Sequence, residues 1–196
     1  CSGLATLGLS TVTPVELNQF GDNGTDTLSG AVLSPGGFLY LVGKATSSWH
    51  SHHTVIEPYV YGEDVLLVKV DPSDYSVVWA SHIGQGPSNG SMDYPYSVAV
   101  DANENIYVGG WTGGSLSAYN PIETEGGGFV AKFDSGGNIL WLTMEGETNG
   151  DSGAIMGLGV DEFDNVYAVG YALGDVNGQS SSGSSDVFLV KYNSLG

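Results

Sequence analysis

Short apolar runs with period-two alternation, each bounded by Gly, Asp, Asn or Ser, recur along the chain. Runs of this kind predict short strands joined by tight turns. Phe38-Leu39-Tyr40-Leu41-Val42-Gly43, Asn105-Ile106-Tyr107-Val108-Gly109-Gly110 and Asn165-Val166-Tyr167-Ala168-Val169-Gly170 share one pattern. Each precedes, across a loop, a segment centred on lysine: Val68-Lys69-Val70, Ala131-Lys132-Phe133 and Val190-Lys191-Tyr192. Tyr107 and Tyr167 lie 60 residues apart, and Lys132 and Lys191 lie 59 apart. A self-similar unit of that length, holding several strands, predicts a propeller blade or a related array.

The second unit shows the expected build. Ser97–Val100 is a small-residue first strand and Asp101–Asn105 a turn, and Ile106–Trp111 is the second strand. Phe129–Phe133 is the third, and the turn Asp134–Asn138 leads to a fourth, Ile139–Thr143. Four strands linked by hairpins, the first of them small enough to crowd an axis, predict a blade. The first unit supplies Gly30–Leu33, Phe38–Ala45, Val65–Val70 and Val77–Ser81; the third supplies Met156–Val160, Val166–Ala172 and Val187–Tyr192 but no fourth strand. Val15–Gly21 is the candidate for that strand, because it precedes Asp22–Asp26 as Trp79–Gly84 precedes Asn89–Asp93. The expectation is thus all-β: about three four-stranded antiparallel blades in one propeller-type domain. Residues 1–21 form the N-terminal segment, 22–84 blade one, 85–146 blade two and 147–196 blade three. The third blade would be completed by the N-terminal strand, in cis or from a neighbouring subunit, which removes an exposed edge.

Composition agrees with a turn-rich β protein, with 41% hydrophobic and 11% aromatic residues against 31 glycines. No apolar run is long enough for a membrane span, and no leader segment stands at the start. The single cysteine, Cys1, has no internal partner, and Cys1-Ser2-Gly3 would suit the acylated end of a lipoprotein. A formal charge of −18 repels phosphate backbones and anionic headgroups, which sets nucleic acid and acidic membranes aside as partners. The acids are dispersed along the chain and coat a folded surface exposed to cations, salt or acid.

Ala99-Val100-Asp101, Asn105-Ile106-Tyr107-Val108-Gly109-Gly110, Phe129-Val130-Ala131-Lys132-Phe133 and Leu140-Trp141 together resemble the bacterial and archaeal β-propeller repeat called SBBP. The third unit is similar to the same repeat at Val160-Asp161, Asn165-Val166-Tyr167 and Asp186–Tyr192, and the first unit diverges at Ser34-Pro35-Gly36-Gly37. The resemblance implies a propeller fold and a secreted or surface location, and it brings no catalytic residues.

Alternation within the third strand puts Phe129, Ala131 and Phe133 on one face and Val130 with Lys132 on the other. The lysine stem then covers apolar surface while its ammonium meets a carboxylate or carbonyl, with Asp101 and Asp161 as candidate partners. Oxygen-rich loops between blades, holding Asp26, Asp93, Asp151, Asp175 and Asn177, suit a Ca²⁺ ion or simply cap turns. Of the four histidines, His50, His52 and His53 share one loop. On an extended segment His50 and His52 project to one side, a candidate for a transition metal with Glu57 or Glu63 as third ligand. No nucleophile elbow, phosphate loop, zinc-protease helix or Cys pair occurs, and arginine is absent, which excludes the arginine cluster of a sialidase. Glu123 and Glu125 would act as glycosidase carboxylates only if the fold brought them together.

These observations favour a non-enzymatic extracellular or cell-surface protein that assembles with itself into a filament, tubule or surface layer through strand exchange, with Ca²⁺ as a stabiliser. The strand residues expected at that contact are Val15, Leu17 and Phe20 on one side and Phe188, Val190 and Tyr192 on the other. The alternative is an adhesion module that binds glycans or a cell-surface protein through exposed aromatics such as Trp49, Tyr59, Tyr61, Tyr94, Tyr96 and Tyr119.

Overall fold

The structure is a computed structural model. It describes residues 19, 21, 23–49, 54–55, 62–84, 92–114, 116, 126–145, 153–176 and 178–196. No helix occurs among them. β1 (Asp26–Leu33), β2 (Leu39–Ala45), β4 (Asp64–Val70) and β5 (Val77–Ile83) form the first blade. The short β3 (Thr54–Val55) pairs in parallel with β5 at the blade's edge. β6 (Asp93–Val100), β7 (Ile106–Thr112), β8 (Gly127–Phe133) and β9 (Ile139–Glu145) form the second, in sequence order. β10 (Ala154–Val160), β11 (Val166–Ala172) and β12 (Asp186–Tyr192) form the third, which has three strands. Apart from β3, neighbouring strands are antiparallel, and β1, β6 and β10 run beside one another in the manner of a propeller's inner strands.

Each first strand runs several residues further back than simple alternation predicts. The reason is a bulge that breaks the alternation once in every first strand, after Leu28, after Pro95 and after Ile155. The bulge presses the first strand's backbone onto the second. A Cβ at Gly43, Gly110 or Gly170 would lie 1.8, 2.1 or 1.9 Å from a first-strand carbonyl oxygen, so only glycine fits. The repeated glycine of the second strand therefore records backbone approach, not a turn.

Turn chemistry repeats as well. Asp101 Oδ1 accepts the Asn103 and Asn105 amides at 2.9 Å, and its Oδ2 accepts the Asn105 side chain at 2.8 Å and the Tyr107 hydroxyl at 2.9 Å. Asp161 binds Phe163, Asn165 and Tyr167 in the same way. Burial pushes the Asp161 carboxyl upward, but those donors outweigh it and hold the group at about 2. In blade one Ser34 stands at that position and its hydroxyl accepts the Phe38 amide at 3.2 Å.

The main core lies between blades one and two. Tyr40, Val42, Val65, Leu67, Trp79 and Ile83 pack there against Ile106, Val108, Phe129, Ala131 and Phe133. Between blades two and three, Val130 packs against Ile155, Ala168, Phe188 and Val190. Alternation along β8 thus sends Phe129, Ala131 and Phe133 to one blade interface and Val130 to the other. A third cluster, Leu41, Leu66, Val68 and Val70 with Trp49, covers the far side of blade one.

Candidate functional site

The three repeated lysines sit directly across from the three repeated tyrosines: Lys69 from Tyr40, Lys132 from Tyr107 and Lys191 from Tyr167. Each ammonium lies over the paired ring, at 5.4, 5.2 and 5.0 Å from its centroid. Lys69 Nζ then donates to the Ser135 carbonyl at 3.3 Å, and Lys132 Nζ to the Ser194 carbonyl at 2.8 Å. Ser135 and Ser194 occupy the same place in the repeat, the turn after the third strand of the following blade. Trp79 Nε1 also donates to the Ser135 carbonyl, at 3.3 Å. Each of these two lysines therefore pins its blade to the next.

This corrects the expectation that Asp101 is a lysine's partner and bears it out for Asp161. Asp101 is taken up by its own turn and Tyr107, and Lys132 reaches past it to another blade. Only Lys191 approaches its acid, with Nζ 3.9 Å from Asp161 Oδ2 and the side chain half exposed. No following blade offers it a carbonyl among the described residues.

The same contrast extends over the whole outward face of blade three. Val187 and Leu189 are 91% and 66% exposed. Their repeat equivalents Val65 and Leu67 in blade one, and Val130 in blade two, are fully buried. Met156, Val169, Gly170, Tyr171, Val187 and Leu189 line an apolar groove of about 650 Å³ on that face. Such a surface is covered in each of the other blades by the blade that follows.

Residues 78–116, from β5 through β7 into the following loop, match the model of the SBBP family, Beta-propeller repeat. This stretch is similar to an SBBP propeller repeat. No curated protein matches it. The SBBP match crosses from blade one into blade two, so it contains the bulged first strand, the Asp101 turn and the glycine pair Gly109-Gly110. In β12 of the third blade, Phe188, Val190 and Tyr192 face inward toward blade two, where Tyr192 packs 5.9 Å from Trp141 and its hydroxyl donates to Glu145. The outward positions Val187 and Leu189 are the ones sequence reasoning passed over. An unbroken Val-Phe-Leu-Val run is itself the signal for a strand meant to be covered on both faces.

At the opposite end of the blades, Asp26 and Asp93 begin β1 and β6, and Gly153 holds the equivalent place before β10. Asp93 is fully buried; its Oδ1 accepts the Thr112 hydroxyl at 2.6 Å, and burial, with Asp64 nearby, pushes its carboxyl up to about 7. Asp175 Oδ1 accepts the Ser181 amide at 2.7 Å. Among the described residues no three His, Cys, Asp or Glu side chains converge as a metal site requires. Glu63 pairs with Lys44 at 2.8 Å, beneath the Tyr94 ring. His82 is buried on β5. Asp151, Asn177, His50, His52, His53, Glu57, Glu123, Glu125, Val15, Leu17 and Phe20 lie outside the described residues, as do Tyr59, Tyr61 and Tyr119. Trp49 departs from its expected exposure: it is buried in the apolar cluster behind blade one. Tyr94 is half buried and stacks on Trp111 at 5.8 Å, which leaves Tyr96 exposed. No described helix is long and apolar enough to cross a membrane.

Proposed function

We propose that this β-propeller module is a non-enzymatic, extracellular structural protein that assembles with a neighbouring polypeptide by completion of its third blade. An incoming extended segment pairs with β12 as β9 pairs with β8 and supplies the fourth strand. The edge is the observation that supports this reading most. β4 and β8 each lie between two strands, whereas among the described residues β12 is paired with β11 alone. Pairing of this kind takes affinity from main-chain hydrogen bonds and register from alternate side chains. The repeated polar groups favour structure over catalysis, since Asp101 and Asp161 serve their own turns, and Lys69 and Lys132 serve blade contacts.

Hydrogen exchange at the β12 amides tests the proposal. Peptides of residues 13–21 and 138–146 are added separately to the full chain. Protection of alternate β12 amides by either peptide supports completion, and unchanged exchange with both removes it.

A further inference from the structure

We propose that the outward face of blade three is the seat for a further blade of the same repeat, and that Lys191 over Tyr167 is the pin that sets its position. The inference rests on the assembly reading and names the partner that reading leaves open.

The occupant follows from two worked examples within the chain. Where blade two covers blade one, Phe129, Ala131 and Phe133 fill the face made by Val42, Val65 and Leu67. The Ser135 carbonyl of blade two then meets Lys69. Where blade three covers blade two, Phe188 and Val190 lie over Val130, and the Ser194 carbonyl meets Lys132. Blade three repeats the receiving half of both contacts. Val169, Val187 and Leu189 provide the apolar floor, and Lys191 stands over the Tyr167 ring. The fitting partner therefore has a large apolar residue at the place of Phe129 and Phe188, and a turn carbonyl at the place of Ser135 and Ser194.

A second copy of this chain does not present those groups. Its blade-one counterparts, Leu41, Leu66, Val68 and Val70, are already buried, and the matching faces of blades two and three sit inside its own blade contacts. Hence the partner blade is one that residues 1–196 do not contain.

A tandem chain supplies such a blade at high effective concentration. Gly137 and Gly196 are equivalent in the repeat, so a copy of residues 138–196 placed after Gly196 continues in phase. The probe is the reactivity of a Leu189→Cys thiol, with Cys1→Ser as background. The expected result is a tenfold or greater slowing of thiol modification in the tandem chain relative to the 196-residue chain. Lys191→Met should return much of that reactivity in the tandem chain and change nothing in the shorter one.

Protected β12 amides with a thiol that stays reactive would overturn the seat while leaving blade completion standing; loss of both protections would remove both. Concentration-dependent protection in the 196-residue chain would mean self-docking and would overturn the choice of partner. A tandem chain that does not fold leaves a second measurement. In the 196-residue chain Lys132→Met should lower the folding equilibrium about tenfold, and Lys191→Met should leave it unchanged. Equal losses would show Lys191 already engaged and defeat the proposal.

Discussion

The carboxyl of Asp93 makes the stability of the blade junction depend on pH. It is fully buried at the start of β6, accepts a hydrogen bond from Thr112, and among the described residues leaves Oδ2 without a partner. Burial, with the charge of Asp64 nearby, raises it from 3.8 to about 7. The native state thus retains a proton at this site that the unfolded chain releases near pH 4. Its stabilising contribution is complete below that point, falls as pH rises toward 7, and is fully lost above. A shift of this size corresponds to about 4 kcal/mol. Asp93→Asn removes the charge at every pH and keeps the shape. The difference between variant and native chain should be near zero at pH 4 and should grow to about 4 kcal/mol in favour of the variant by pH 8. Urea unfolding followed by tryptophan fluorescence across that range measures it. A difference that stays flat with pH, or a variant less stable than the native chain at pH 8, would refute the reasoning.

Gly170→Ala forces a Cβ to within 1.9 Å of the Ala154 carbonyl, and the denaturation midpoint should fall by the equivalent of about 3 kcal/mol. Tyr107→Phe deletes the buried hydroxyl that Asp101 accepts at 2.9 Å, at a cost of about 2 kcal/mol by the same assay. Leu189→Glu, on the open face, should leave stability of the isolated chain within about 0.5 kcal/mol, whereas the equivalent Val130→Glu in a closed contact should prevent cooperative unfolding altogether.

Much of the fold was legible because its signals are local. Strand alternation, Asp and Asn turns, and the recurrence of Tyr and Lys needed only neighbouring residues to be read. The first-strand bulges escaped, since Ser29, Tyr96 and Met156 interrupt the period without a shared residue type. The candidate site was half legible: counting strands pointed to the third blade, but the expected contact residues Phe188, Val190 and Tyr192 turn out to face blade two.

The sequence by itself thus determined an all-β repeat with its turns, its glycine positions and the three strands of the third unit. Tertiary structure alone decided which side of each strand is covered and by what. Lys132 passes its own acidic turn for the Ser194 carbonyl, and Trp49 is buried where its neighbours promised a polar loop. The physical reason is that a strand's period fixes two faces but not their partners. Those are set by blades about 60 residues away, whose packing no local pattern records.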